Sequence, residues 1–407
     1  MAITRRALLG GGGATLAAPI ARAQRGGTPT VRIGVLTDMS GPYRHLGGPV
    51  AVACVQQAVQ EFTAGKDVNV EVVAADFQNK ADVGATIARQ WFDELGVDVV
   101  VDVLNSAVAL AVASIAREKN KVVLACPSTT ELTGRQCSPN TVHWSHDTWM
   151  LAKSTTTSIL QAGGDSWFLI AANYAFGHQL AQDATRFIGE GGGKVLRSIS
   201  YPFPETTDFS GYLQEALTSG AKVLGLCNGG ADTVTCIKQA HEFALNQKML
   251  LAAMLMTIND LHTLGIATAE GLRLTTSFYW DLNDRTRAFT DRLRSKIGNA
   301  RPTMFQAGDY AATLHYLKAA ADMGVAAAKA DGRAAVMRMK AIPTDDDCFG
   351  KGYIRTDGRK IHPSYLFEVK SPAESRDEWD LYKLVAITPA DQAFRPLREG
   401  ACPFVHV

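Results

Sequence analysis

From Val31 onward, short runs rich in Val, Ile and Ala alternate with longer stretches in which apolar residues recur at the spacing of a helix turn. Segments 31–37, 68–75, 97–104 and 122–125 read as strands, and 47–62, 81–93 and 107–120 as the helices between them. Strands that are apolar on both faces and separated by helices belong to βαβ units, so the pattern predicts an α/β fold with a mostly parallel sheet covered on both sides. A polar, turn-rich stretch at 127–147 interrupts the alternation, which predicts a domain boundary. It restarts with a helix from Thr148, strands at 167–172, 194–200, 223–227 and 249–253, and helices beginning at Phe176, Ser210 and Ala231. After a strand at 272–277 the period becomes helical over 284–296, 304–323 and 332–341, helices that need a further sheet to cover. The tail 353–387 returns to short strand-like runs at 364–369 and 379–385. Two lobes joined by several crossings fit this order.

Composition narrows the function classes. The 407 residues are 46% apolar and carry 41 basic against 40 acidic side chains. That is enough apolar material for at least one large core, and there is no basic block of the kind a nucleic-acid backbone requires. No apolar run reaches the length of a membrane-spanning helix. The opening residues stand apart: Thr4-Arg5-Arg6, an apolar, Gly-rich stretch over 7–20, and Ala21-Arg22-Ala23 have the charged start, apolar middle and small-residue end of an export signal. Cleavage is expected after Ala23, so that 1–23 is the signal. The adjacent Arg5 and Arg6 resemble a twin-arginine signal, with an ordinary secretory signal as the alternative. Either implies a destination outside the cytoplasm, where disulfides persist. The seven cysteines, at 54, 126, 137, 227, 236, 348 and 402, form no CxxC pair, which argues against a zinc ribbon or a thioredoxin-like centre. Cys137 with Cys402 and Cys227 with Cys236 are two open pairings, and the odd count leaves at least one thiol unpaired.

In an open α/β sheet, ligands bind at the carboxyl ends of the strands, where loops and helix N-termini expose backbone N–H groups. The loop after the first strand, Asp38-Met39-Ser40-Gly41-Pro42-Tyr43-Arg44-His45-Leu46-Gly47-Gly48, joins small residues that let a backbone approach a ligand to the side chains of Tyr43, Arg44 and His45. Asn105-Ser106 follows the third strand and Cys126-Pro127-Ser128-Thr129-Thr130-Glu131 the fourth. Each places hydroxyl or amide groups just ahead of a helix, where capping is the competing explanation. Motifs for catalysis are missing: there is no GxSxG, HExxH or GxxxxGK[ST], and no GxGxxG between a strand and a helix. His143-Trp144-Ser145-His146-Asp147 gathers three potential metal ligands in five residues, at a spacing that matches no common zinc site. Neither a metal nor another cofactor is expected.

These loops carry a resemblance. Ile33-Gly34-Val35-Leu36-Thr37-Asp38-Met39-Ser40-Gly41-Pro42-Tyr43 with Leu46-Gly47-Gly48 behind it, and Asn105-Ser106-Ala107-Val108-Ala109-Leu110-Ala111-Val112, are similar to the branched-chain amino-acid-binding type of periplasmic solute-binding proteins, which serve ABC importers. The likeness extends over Thr130-Glu131-Leu132-Thr133-Gly134, Tyr174-Ala175-Phe176-Gly177 and Asp357-Gly358-Arg359-Lys360, and so over nearly all of the chain after the signal. It implies the type I periplasmic binding protein fold, in which two Rossmann-like lobes with parallel sheets, joined by three hinge strands, close over a ligand. Lobe one is implied at 28–144 plus 278–342, and lobe two at 145–277 plus 343–407. By the same resemblance Ser128 sits where a hydroxyl holds a ligand carboxylate, next to Thr129, with Asn105 and Ser106 on the neighbouring loop. Phe176 matches a ring that closes from lobe two, Asn228 lies on a second lobe-two loop facing the cleft, and Thr257 falls near the acidic position that amino-acid binders use for the α-ammonium.

No acid is evident at that position. A buried ammonium without a carboxylate partner costs on the order of a few kcal/mol, so an amino acid is not the favoured ligand. Arg44 and His45, with Tyr43, Tyr174 and Phe176, instead suggest an anion attached to a flat apolar body, because Arg binds a carboxylate through two parallel hydrogen bonds and rings stack on rings. The sequence is also more similar to the family's aromatic-acid branch, which takes benzoates, phenylpropanoids and aryl-keto acids. The expectation is a non-enzymatic periplasmic component of an ABC importer that binds a small carboxylate, an aromatic acid, as a monomer, with membrane permease subunits as partners and no role for nucleic acid. A branched-chain or other amino-acid binder is the alternative within the family, and a ligand sensor for a membrane receptor the alternative outside it.

Overall fold

The computed structural model describes residues 29–126 and 129–405, so the export signal and Ser128 lie outside the described residues. Strands β1 (Val31–Thr37), β2 (Val70–Asp76), β3 (Val99–Asp102), β4 (Val122–Ala125) and β5 (Thr141–His143) pair in parallel in the order β2-β1-β3-β4-β5. Helices α1 (Gly48–Thr63), α2 (Ala81–Gln90) and α3 (Ser106–Glu118) are the crossovers that parallel pairing demands. All of β3 and β4 is buried, which is why these strands run apolar without alternation until Asp102.

The second sheet repeats this winding. Helix α4 (Thr148–Gln161) leads into β6 (Ser166–Ala172), α5 (Ala175–Glu190), β7 (Lys194–Tyr201), α6 (Ser210–Thr218), β8 (Val223–Cys227), α7 (Ala231–Glu242), β9 (Leu250–Ala253), α8 (Ile258–Leu264), α9 (Ile266–Ala269) and β10 (Arg273–Thr276). Its strands run β7-β6-β8-β9-β10, the same order as in the first sheet. In both sheets the order reverses beside the first strand, between β1 and β3 and between β6 and β8. Loops at the carboxyl ends of those strands diverge there and leave room for a ligand.

Beyond β10 the chain goes back to the first sheet. Helices α10 (Asp284–Ile297) and α11 (Met304–Met323) pack on α1, and α11 also covers β3 and β4. The expected further sheet for these helices is therefore not needed; they complete the covering of the first one. Helices α12 (Val325–Ala330) and α13 (Gly332–Ala341) lead into a small antiparallel sheet of β11 (Thr344–Asp346), β12 (Gly350–Ile354) and β13 (Lys360–Ile361). Arg359 bridges in parallel to His143, at the edge of the first sheet. Next, β14 (Ser364–Val369) and β15 (Tyr382–Thr388) add antiparallel to β10, giving the second sheet seven strands. The final stretch returns once more: Cys402 is bonded to Cys137, with Cα atoms 5.6 Å apart, whereas Cys227 and Cys236 remain free thiols. Residues 343–405 thus divide their contacts between both sheets.

The chain passes between the sheets near 144–147, 277–283 and 362–363. The first and third passages are tied together: the fully buried Arg359 donates to the carbonyls of Trp144 and Ser145, and His362 Nε2 lies 2.8 Å from the Ser145 carbonyl. Among the described residues no helix is long and apolar enough to cross a membrane.

Candidate functional site

The loop after β1 is shaped by Asp38, whose buried carboxylate accepts the N–H groups of Gly41 and Tyr43 at 2.7 and 2.9 Å. Burial raises this carboxyl above its ordinary value, opposed by those two backbone donors. The turn aims Tyr43 across the cleft, where its hydroxyl lies 2.7 Å from that of Tyr174, the N-cap residue of α5. Phe203 stacks on both rings, with centroids 5.5 Å from Tyr43 and 4.8 Å from Tyr174. A second contact crosses beside it: His45 Nε2 lies 2.7 Å from Asp260 Oδ1. Gly230 allows the two sides to meet. Its φ of 64° and ψ of −138° disfavour other residues, and a Cβ there would lie 3.2 Å from His45 Cε1 and 3.4 Å from Tyr43 Cδ1.

Beneath these contacts is a small cavity, about 10 Å³ in this closed arrangement, lined by Tyr43, Leu46, Leu104, His146, Tyr174, Phe176, Leu255 and Phe305. The wall is mostly carbon. Leu104 is delivered by an unusual turn at the end of β3, where Asp102 and the β-branched Val103 have φ of 78° and 47°. Such left-handed positions cost about 1–3 kcal/mol each and collect at ligand sites. His146 is 1% exposed, and Phe305 meets its ring edge-on at 4.8 Å. Burial first, then the positive charge of Arg359, push its pKa down to about 3, so the imidazole is neutral. Among the described residues no three His, Cys, Asp or Glu side chains converge as a metal site requires.

Of the residues singled out from sequence, Tyr43, Tyr174 and Phe176 meet in this cavity, and His45 lies at its rim. Arg44 does not join them: its side chain is exposed, so the expected guanidinium clamp on a carboxylate is not built. Asn228 also turns away, since its amide oxygen accepts the Thr233 hydroxyl at 2.7 Å and its nitrogen faces the Cys236 thiol at 3.6 Å, holding the first turn of α7. Thr257 caps α8 and lines an adjoining cavity with Phe278, Trp280 and Met304. On the first sheet's side, Asn105 accepts the N–H groups of Ala107 and Val108 as the N-cap of α3. Ser106 Oγ accepts the Thr129 N–H at 3.1 Å, and Thr129 Oγ1 accepts the Glu131 N–H at 3.3 Å. Capping accounts for the Asn105 and Thr129 oxygens, while the Asn105 amide nitrogen donates to Asn79 Oδ1 at 2.7 Å and Ser106 ties the loop after β3 to the one after β4.

Sequence reasoning missed Leu46, Leu104, Leu255, Phe203 and Phe305, which read as core. It also overlooked an acid. Asp260 lies three residues past Thr257 and is 2% exposed; its Oδ2 accepts the Thr257 N–H and hydroxyl at 2.9 and 2.7 Å while Oδ1 faces His45. The expectation that no acid stands near Thr257 is thereby corrected, although both oxygens are already engaged. The spacing Thr257-Ile258-Asn259-Asp260 has the form of a capping box and could have revealed it.

Comparison with known proteins gives a consistent picture. A family described as periplasmic binding protein matches residues 30–375. A periplasmic binding protein from Burkholderia mallei is 42% identical, with a TM-score of 0.87 over 92% of this chain and 99% of that one. A branched-chain amino acid ABC transporter periplasmic ligand-binding protein from Burkholderia xenovorans is 36% identical, with a TM-score of 0.80 over 92% of this chain and 99% of its own. A solute-binding protein of an ABC transporter from R. palustris, in complex with benzoate, has the same fold at 19% identity, with a TM-score of 0.78 over 89% of this chain and 97% of that one. Comparison with curated proteins gave no match.

Proposed function

The chain belongs to the periplasmic binding protein family, and from that premise we propose that its ligand is a small aromatic carboxylate enclosed between the two sheets. Its role is that of its relatives: it binds a solute for an ABC importer, whose membrane permease subunits are its partners. In the proposed pose the ring lies among Tyr43, Tyr174, Phe176 and Phe305, and the carboxylate points to the loops of Ser106, Ser128 and Thr129. The observation that carries the reading is the cavity wall itself, which is formed by rings and leucines from both sides and offers no free carboxylate to an ammonium group. The fold also accommodates such a ligand in the R. palustris protein.

Binding is the whole mechanism. The open form exposes the cleft, and a ligand shifts the population toward the closed form by the difference in its affinity for the two. We place the hinge at the three passages between the sheets, with lobe one at 28–144 plus 278–342. The same proposal includes a monomer exported by a twin-arginine signal ending at Ala23. Replacing Arg5 and Arg6 by Lys should then hold the chain in the cytoplasm, and light scattering should give the mass of one chain. The name of the B. xenovorans relative favours a second reading, a branched-chain amino acid, for which Asp260 would have to release His45 to receive the ammonium. Thermal unfolding with aromatic carboxylates, aliphatic dicarboxylates and branched-chain amino acids decides between them, because a ligand of the native state raises the midpoint. A rise with aromatic acids alone supports the first reading; a rise with leucine or valine replaces it by the second.

A further inference from the structure

His146 leaves the first passage between the sheets and forms part of the cavity wall, 1% exposed. Neither of its ring nitrogens has a hydrogen-bond partner among the described residues. His362, buried just as deeply beside it, has both nitrogens engaged, Nδ1 at 2.8 Å from the Pro363 carbonyl and Nε2 at 2.8 Å from the Ser145 carbonyl. The His143 ring nitrogens also have no hydrogen-bond partner among the described residues, but His143 lies back at the end of β5 and is not part of the wall. The remaining wall has little to offer a polar group, since Leu46, Leu104, Leu255, Phe176 and Phe305 present carbon and the hydroxyls of Tyr43 and Tyr174 already face each other at 2.7 Å.

The setting of His146 is rigid. Arg359 donates to the carbonyls of Trp144 and Ser145 on either side of the passage, and Phe305 fixes the ring from its edge. A neutral imidazole has one N–H donor and one bare nitrogen that accepts. A hydroxyl, which both donates and accepts, satisfies either nitrogen, whereas a ring C–H satisfies neither and leaves the buried imidazole without a bond.

We propose that His146 is a specificity-determining residue that reads a hydroxyl group on the ring of the ligand, so that the chain takes hydroxylated aromatic acids in preference to unsubstituted ones. This rests on the aromatic-acid reading of the cavity. The test is calorimetric titration of benzoate and of 2-, 3- and 4-hydroxybenzoate into the parent protein, His146→Phe and His146→Gln. The parent should prefer its best hydroxybenzoate over benzoate by at least about tenfold, the kind of discrimination expected when a buried hydrogen bond is lost. His146→Phe should bring that ratio close to one while still binding benzoate, and His146→Gln, which keeps a donor and an acceptor, should retain most of the preference. If His146→Phe does not fold, His146→Leu is read by the same ratio. A preference that survives removal of the imidazole, or a parent that binds all four acids equally, overturns the assignment and leaves the aromatic-acid reading intact. A parent that binds none of them overturns both.

Discussion

The two sides of the cleft share one strand order and use it differently. On the first sheet, the loops after β3 and β4 turn their polar groups onto backbone: Asn105 onto α3, Ser106 onto the Thr129 N–H, Thr129 onto the Glu131 N–H. On the second sheet, the loops after β6 and β8 bring rings and a bare glycine up to the opposite side, so Tyr174 finds Tyr43 and Gly230 fits against His45. The loops after β3 and β4 satisfy most of their polar groups within the first side, although the Thr130 hydroxyl also reaches Asp183 of α5 at 3.2 Å; the loops after β6 and β8 meet the β1 loop only when the cleft shuts. Because a ligand biases closure only through contacts that differ between open and closed forms, the second side should control the conformational change and the first should mainly orient the ligand.

The harshest way to break this comparison is Gly230→Val. Any side chain there must meet His45 and Tyr43 in the closed form, so ligand affinity should fall at least about 100-fold; the backbone strain of about 1–3 kcal/mol is common to open and closed forms and should instead lower the melting midpoint of the ligand-free protein. Near-parental affinity by titration calorimetry would mean that the two loops do not meet on closure. Next in size is the contrast between Phe176→Ala and Ser106→Ala. Truncating the ring should cost about tenfold to 100-fold in affinity and abolish ligand-induced compaction in small-angle scattering, whereas removing the hydroxyl should leave compaction intact. Equal compaction by both variants would erase the proposed division of labour. Smaller again is His45→Ala, which removes the contact with Asp260. Since the His45 side chain is 34% exposed and Asp260 keeps its Thr257 donors, the loss should be about threefold to tenfold. A loss that exceeds that of Phe176→Ala would make the polar contact, not the ring, the main latch.

The same contrast explains which features were legible in the sequence. The strands and helices of both sheets follow from periodicity, because a strand buried on both faces cannot hide its composition; β4 runs Val122-Val123-Leu124-Ala125 with every residue buried. The loops after β1, β3, β6 and β8 were legible as places, since strand ends in such folds face the ligand. Within them, a polar residue that caps a helix and one that faces a ligand have the same spacing, which is why Asn228 and Asn105 looked alike as contacts although Asn228 bonds within its own loop and helix and Asn105 caps α3 while donating to Asn79. Arg44 was read as a contact from its loop alone; Tyr43 and Leu46 of that loop line the cavity, whereas Arg44 is exposed. The cavity's leucines and Phe305 gave no signal apart from core. His146 gave a signal, as part of a cluster of potential metal ligands, but its use depends on Phe305 and Arg359, which are distant in sequence and adjacent only after both sheets have formed.

The smallest expected effect concerns stability rather than affinity, and it belongs to the first side alone. Asp102, at the end of β3, and Asp309, in α11, are both fully buried under the cleft. Burial lifts both carboxyls above the ordinary 3.8, and negative neighbours lift them further: Asp38 acts on Asp102, and Asp102 on Asp309. With native values raised, the native state holds protons that the unfolded chain releases from about pH 4 upward, so the unfolding free energy falls as pH rises through that window. Asp102→Asn removes one of these protons from the balance, and its melting midpoint should decline less steeply than that of the parent between about pH 5 and pH 8. Buried His146 and His362, whose values lie near 3, act with the opposite sign, but they contribute equally to both proteins and drop out of the difference. A variant whose slope equals the parent's would mean that Asp102 is already ionised in the folded protein. The turn at Asp102 and Val103 would then be holding a buried charge directly beneath Leu104 and the ligand, and a positively charged ligand group would become the more natural occupant of this side of the cleft.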